Sequence, residues 1–309
     1  KVLFVLQGIG FGGSMTSLLN LLSFMGEDKL DIDVLFMDRY GELLEQAQDI
    51  TNVLAEDKFL QAVSAPRYKL KNLGRYDLIT LRGLLAAVGK ISHKATSDIA
   101  YAYAVKKYDN KYDCVVAYQE SIATSLVAKI KCKRKIAWVH NDYDNVKRIC
   151  GGAENLRWLY SNFDKIVCVS KAGKRNFQKK SGLSSEKIEY VYNTLRSDSI
   201  RSKAQIPIEL VLEDGKNKTH VLEVLEKHAI KFVSSGRFAE QKRFDRVIQP
   251  AKRLKTEKVD FCWVIVGNGD QFEQIEKAIR EENLSDVVVL TGGLNNPFPV
   301  VRVCDVFVL

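Results

Sequence analysis

No stretch of this chain approaches the roughly 18 consecutive apolar residues that a membrane-crossing helix needs. The nearest, residues 78–91, is interrupted by Arg82 and Lys90. Cysteine lacks pattern rather than number: there are six, none in a Cys-x-x-Cys pair. Cys114, Cys168 and Cys262 fall inside apolar runs, where a free thiol behaves as a small buried hydrophobe. A reducing compartment without disulfides is therefore expected. Histidine, cysteine and aspartate nowhere cluster at metal-ligand spacing, and no recognised nucleic-acid-binding motif is present. No secretory signal opens the chain. The expectations are a cytoplasmic protein, no bound metal and no nucleic-acid partner.

What is present is enough apolar material for two cores. At 309 residues and 46% apolar content the chain exceeds comfortable single-core size, so two domains are expected. Residues 2–6, 33–37, 114–118, 136–140, 166–170 and 188–192 read as strands, separated by helix-compatible stretches such as 14–25. From 196 to 230 the pattern is lost to polar residues, Pro207 and the tract Asp214-Gly-Lys-Asn-Lys218. That region reads as a linker with one helix at 221–227. Strands then return at 232–235, 260–266, 287–291 and 305–309, each meeting a glycine-rich loop or a helix. The pattern predicts an α/β fold of two Rossmann-like domains with parallel sheets, at 1–195 and 231–309.

The most informative segment is Phe232-Val-Ser-Ser-Gly236-Arg237-Phe238, with Lys242 five residues after Arg237 and an amphipathic helix beyond. A strand ending at glycine lets a ligand approach the backbone closely. Two cations and a helix N-terminus at one point suit a multiply charged anion such as a diphosphate. Fixed cations there also neutralise charge that grows as a phosphate leaving group departs. A solvated turn with two surface cations is the plain alternative. Downstream, Val266-Gly267-Asn268-Gly269-Asp270 closes the next strand, with Asp270 and Glu273 at capping-box spacing.

Taken in order, Gly236-Arg237 with Lys242, Gly267-Asn268-Gly269, and Asn296-Pro297-Phe298-Pro299 with Cys304-Asp-Val-Phe-Val-Leu309 resemble the donor half of GT-B glycosyltransferases of family 4, the group 1 glycosyltransferases. Gly12-Gly13 with Leu18-Leu19-Asn20-Leu21, Ala137-Trp-Val-His140-Asn-Asp142, Val167-Cys-Val-Ser170 and Val191-Tyr-Asn193 resemble the family's first half. The resemblance implies two facing Rossmann-like domains. It implies a nucleotide-diphosphate-sugar donor, a glycan or lipid-linked acceptor, and transfer of a hexose-type sugar with retention of configuration, without an obligatory metal, in surface polysaccharide assembly. By the same resemblance Arg237 and Lys242 bind the diphosphate, and Gly12 and Gly13 let the first loop reach it. Gly267, Asn268 and Gly269 lie near the nucleotide, Asn296 and Pro297 near the base, and His140 near the transferred sugar. A satisfied histidine at a strand end is the other reading of His140. One departure stands out: the family's Glu-x7-Glu segment would follow Leu309, where the sequence stops, and no initiator methionine precedes Lys1. The expectation is a chain trimmed at both ends, its second domain incomplete.

Two rivals follow from the residues. Gly8-Ile-Gly10-Phe-Gly-Gly13 satisfies G-x-G-x-x-G after a strand, and Asp38 ends the next strand, the marks of an NAD(P)-dependent dehydrogenase. Phe11 crowds that loop, and a dehydrogenase gives no reason for a second sheet with its own Gly-Arg and Gly-Asn-Gly loops. A non-catalytic, transferase-like binding protein is the third reading. Charge is also uneven. Residues 67–111 hold ten Lys/Arg against three Asp, a balance of +7 within a total of +9. A second run, Lys129-Ile-Lys-Cys-Lys-Arg-Lys135, precedes a strand. A solvated helix face, an anionic membrane surface on the inner leaflet and, last, nucleic acid are the three readings of that charge.

Overall fold

The computed structural model describes residues 1–10, 12–25, 30–41, 43–92, 95–212 and 216–309. Phe11, Lys94, Asp214 and Gly215, each part of a sequence argument above, lie outside the described residues. The chain divides into two compact units, Lys1–Leu195 and Arg196–Leu309.

The first unit is built on a seven-stranded sheet, all parallel. Its strands are β1 (Val2–Gly8), β2 (Ile32–Asp38), β3 (Asn52–Val53), β4 (Cys114–Ala117), β5 (Arg134–Val139), β6 (Lys165–Cys168) and β7 (Ile188–Tyr190). Their spatial order is β3-β2-β1-β4-β5-β6-β7. Parallel pairing needs a crossover between strands, so helices cover both faces and the strands read as nearly unbroken apolar runs. The two faces of β1 show this directly. Leu3 and Val5 enter one core cluster, while Phe4 and Leu6 enter the other, because successive side chains alternate across a strand. Each such buried side chain contributes about 1.5–3 kcal/mol. The order reverses between β1 and β4, and ligands of open α/β sheets bind outside the carboxyl ends at such a point.

The second unit carries β8 (Ile230–Ser235), β9 (Phe261–Val266), β10 (Val288–Gly292) and β11 (Val306–Phe307) in the order β10-β9-β8-β11, again all parallel. All six residues of β9 are buried. Here the reversal falls between β8 and β11, so the loop after β8 stands at the equivalent point. Both parallel sheets expected from the sequence are present.

Four local expectations are corrected. Residues 196–230 are not a bare linker: helices Ser197–Ala204 and Lys216–Lys227 belong to the second unit. Val221, Val224 and Leu225 bury one side of the latter helix against Val233, Val264 and Val289. The helix expected directly after Lys242 starts only at Ile248. Arg243 stands in the left-handed region at φ 52°, and such a residue does not propagate a right-handed helix. Two short 3₁₀ turns, Glu240–Lys242 and Phe244–Val247, occupy the interval. Asp270 is not an N-cap; the helix Phe272–Glu281 is preceded by Gln271, without a side-chain cap. Lastly, the two-residue β3 was not expected, being too short to show periodicity.

Candidate functional site

In the first unit the candidate residues gather at the carboxyl ends of β1, β4 and β5. The helix Gly13–Met25 starts there with no acidic residue in its first turn, so its positive end is not neutralised locally. Gly12 and Gly13 are exposed, and a Cβ added to either would meet nothing within 4 Å. The helix is pinned by side chains from two other strands' ends. Gln119 Nε2 donates to Ser14 Oγ at 2.7 Å. The Ser17 hydroxyl donates to Asn193 Oδ1 at 2.9 Å and accepts from the Tyr118 hydroxyl at 3.0 Å. Asn20 Nδ2 donates to the carbonyl of Thr194 at 3.0 Å. Asn193, noted above only as part of a motif, thus has a fixing role.

His140 closes β5 and packs its ring on Tyr118, centroids 5.0 Å apart. Its Nε2 lies 2.9 Å from the Tyr118 carbonyl. A carbonyl only accepts, so the proton sits on Nε2 and Nδ1 is left as a free acceptor. Burial lowers its pKa from 6.5 to about 4, which keeps the ring neutral at physiological pH. Sequence reasoning missed Glu120. Its Oε1 accepts the amides of both His140 and Asn141, the latter at 2.6 Å. Desolvation holds the carboxyl's pKa above the usual carboxylate range, and the accepted amides offset that rise only in part. An acidic residue two positions after the apolar run Val115-Val-Ala-Tyr118 was the available signal.

Asp38 is closed to a cofactor. Only 6% exposed, it accepts from Gln61 Nε2 at 2.8 Å, the Tyr40 amide at 3.1 Å and Lys69 Nζ at 2.8 Å. A ribose-binding carboxylate must be free, so the dehydrogenase reading loses its acidic residue.

In the second unit the loop after β8 lies main chain to main chain against the loop after β9. The Gly236 amide donates to the Val266 carbonyl at 2.9 Å, Phe238 N to Asn268 O at 2.9 Å, and Gln271 N to Phe238 O at 3.1 Å. This closeness requires glycine. A Cβ at Gly267, φ 145°, would sit 1.8 Å from the Gly236 carbonyl oxygen, and one at Gly269, φ 154°, 2.5 Å from that of Phe238. Phe238 is fully buried between Phe244 and Phe272. Anchored on either side, Arg237 faces solvent. Lys242 folds back over the same glycine, its Cε 3.3 Å from where a Gly236 Cβ would stand. Neither cation makes an ion pair or a side-chain hydrogen bond among the described residues. Two unneutralised cations beside a bare backbone loop can hold an anion with several oxygens.

Asn268 Oδ1 accepts the Gly269 amide at 2.8 Å, while Gly293 packs close to its Cβ. Asn296 is engaged at both ends, donating to the Lys203 carbonyl at 2.9 Å and accepting the Phe298 amide at 3.3 Å. With Pro297 it starts the short helix Phe298–Arg302, which packs on Ser197–Ala204. Arg237, Lys242, Gly267, Asn268 and Gly269 are thus brought together, and Asn296 and Pro297 lie on a separate loop. Gly12, Gly13 and His140 belong to the first unit. Among the described residues, no group of three or more His, Cys, Asp or Glu side chains could hold a metal ion. No helix among them is long and apolar enough to cross a membrane.

Residues 11–198 match the family Glycosyltransferase Family 4, and residues 216–309 match Glycosyl transferases group 1. The chain is 31% identical over 149 residues to N-acetylgalactosamine-N,N'-diacetylbacillosaminyl-diphospho-undecaprenol 4-alpha-N-acetylgalactosaminyltransferase of Campylobacter jejuni, a stretch covering 48% of this chain and 35% of that protein. Among solved structures it is similar to Anabaena HepE in complex with UDP and glucose, with TM-score 0.63 and 16% identity over 99% of this chain and 72% of that one. WaaG, a glycosyltransferase involved in lipopolysaccharide biosynthesis, gives TM-score 0.60 and 14% identity over 99% and 74%. TarM gives 0.62 and 13% over 99% and 79%. These structural likenesses concern the fold. The first family match spans more than half of the sequence and the second covers most of the second unit, and on that ground the chain belongs to the family 4, or group 1, glycosyltransferases of GT-B fold.

Proposed function

We propose that this protein transfers a hexose-type sugar from a nucleotide-diphosphate-sugar to a glycan or lipid-linked acceptor, with retention of configuration. The observation that carries the reading is the pair Arg237 and Lys242, both without a carboxylate partner among the described residues, at the carboxyl end of β8. Their charges would hold the donor diphosphate and stabilise it as it leaves. No metal takes part in this scheme, since protein cations supply the neutralising charge. Neutral His140, with Nδ1 as acceptor, would take a hydrogen bond from a hydroxyl of the transferred sugar. The Campylobacter relative's name points to acceptors on diphospho-undecaprenol, which supports a lipid-linked acceptor and a place in surface polysaccharide assembly. Mass spectrometry of products from a panel of nucleotide-sugars with a polyprenyl-linked acceptor tests this. A glycosylated product supports it, and absence of both transfer and donor hydrolysis across the panel would remove it.

Attachment at a cytoplasmic anionic membrane face is part of the same proposal. The helix Tyr76–Ser92 leaves Leu84, Val88 and Ile91 exposed, a spacing that places them on one side. The basic segment is less free than its sequence suggested. Lys69 is paired with Asp38, Arg75 with Glu56 and Asp77, and Lys107 with Asp57. Arg67, Lys71, Lys90, Lys106 and Lys111 remain exposed to attract anionic lipid, about 1 kcal/mol each near the surface.

A further inference from the structure

The first unit holds a basic concavity separate from the residues around His140. It is a groove of about 760 Å³ whose lining includes Ser64, Arg67, Arg82, Gly83, Thr96 and Ser97. Four observations converge on it. Arg82 is half-buried and donates to the carbonyls of Ala65 at 3.0 Å and Val63 at 3.3 Å, but meets no carboxylate among the described residues. Arg67 is exposed and likewise unpaired. The helix Thr96–Tyr108 opens on the groove with Ala95 at its N-cap and no side-chain cap; alanine is a poor choice there, and the amides of Thr96 and Ser97 meet no acceptor among the described residues. The acid in that helix's first turn, Asp98, is turned to Lys129 at 3.3 Å. Finally Ser64, only 8% exposed, has a buried hydroxyl oxygen without a hydrogen-bond partner. A buried hydroxyl left unpaired costs about 1–3 kcal/mol, a cost removed when a ligand oxygen completes it.

The groove also lies at the sheet's carboxyl end. Gln61, one helical turn before Ala65, donates to Asp38 at the end of β2 and accepts the Arg39 amide at 2.9 Å. That is the side on which open α/β sheets bind ligands.

We propose that this groove binds a phosphate or diphosphate group through Arg67, Arg82, the Ser64 hydroxyl and the uncapped amides of Thr96 and Ser97. The inference rests on the transferase reading only for what carries the group: the acceptor, held by its phosphate. Binding itself stands on the groove. The direct test titrates sodium pyrophosphate calorimetrically at low ionic strength into the Arg237→Ala/Lys242→Ala double variant, which silences the other cation pair. Binding should persist there and weaken ten- to hundredfold when Arg67→Glu or Ser64→Ala is added. Both are surface or small-volume changes, and circular dichroism checks the fold. No binding in the double variant, or binding indifferent to Arg67→Glu and Ser64→Ala, overturns the proposal and leaves Arg82 as a cap for the helix Lys58–Ser64. Farnesyl diphosphate in phosphatidylcholine vesicles identifies the source. Tighter binding than pyrophosphate assigns a lipid headgroup, and equal binding assigns a free phosphate compound. UDP and a purine nucleoside diphosphate are titrated into the wild type alongside. If neither nucleotide binds while pyrophosphate binds the groove, only the transferase reading falls; if a nucleotide binds while the groove does not, only this proposal does.

Discussion

The Nε2 proton of His140, at the end of β5, is donated to the carbonyl of Tyr118, at the end of β4, across 2.9 Å. One hydrogen bond sets the tautomer, and burial sets the charge.

A pH dependence of stability follows. In the unfolded chain His140 takes up a proton near pH 6.5, whereas in the folded chain it does so only near 4. The unfolded state therefore binds more protons between these values. The contribution is complete above about pH 6.5 and is lost as pH falls toward 4. Urea denaturation of wild type and His140→Gln should give a difference that shifts against the wild type between pH 7 and 4.5. A difference constant over that range would show an ordinary, solvated histidine.

Glu120 accepts the amides of His140 and Asn141, a contact that positions the end of β5. Glu120→Ala strands the amides of His140 and Asn141 and should cost about 1–3 kcal/mol of stability, with kcat falling more than KM rises. Glu120→Gln keeps an acceptor oxygen and should recover most of both. If the alanine variant matches wild type in denaturation and in kcat, the positioning role is wrong.

Gly267 is the tightest point of the second unit. Gly267→Ala forces a Cβ into the Gly236 carbonyl at a φ that only glycine adopts readily, so the two loops must part. A loss of roughly 3 kcal/mol is expected, together with weaker nucleotide binding. Gly12→Ala meets open space and should leave stability within about 0.5 kcal/mol. Thermal denaturation of both variants is the check, and equal losses would contradict the packing argument.

Much of this was legible in the sequence. Val2-Leu-Phe-Val-Leu6 and Phe261-Cys-Trp-Val-Ile-Val266 are long apolar runs that only a sheet covered on both faces hides, and Gly236-Arg237, Gly267 and Gly269 stand out against them. The rest depended on contacts distant in sequence. Nothing local indicates that Lys69 reaches Asp38 or that Lys107 reaches Asp57, and so the basic segment looked freer than it is. Arg243 carries no mark of its left-handed backbone. Val221, Val224 and Leu225 form only a narrow stripe in a polar stretch, which hid a helix of the second unit.

Membrane attachment is tested with vesicles. Co-sedimentation with phosphatidylglycerol vesicles should fall as salt rises, because exposed charge is screened over about 8 Å at physiological ionic strength. Leu84→Asp with Ile91→Asp should weaken binding at low salt, and Lys71→Glu with Lys90→Glu should remove the preference for anionic over neutral vesicles. Equal recovery on both vesicle types would leave the basic face as solvated surface. Lys107 is unsuited to this test, since its partner Asp57 caps the helix Lys58–Ser64.

The central claim is that Arg237 and Lys242 hold the diphosphate of a nucleotide-sugar. Calorimetric titration of UDP, alongside a purine nucleoside diphosphate, into wild type, Arg237→Ala and Lys242→Ala measures it directly. The account predicts saturable binding of at least one nucleotide, weakened by about 1.5–3 kcal/mol in each variant, with unchanged circular dichroism. Equal affinity in all three proteins would contradict it.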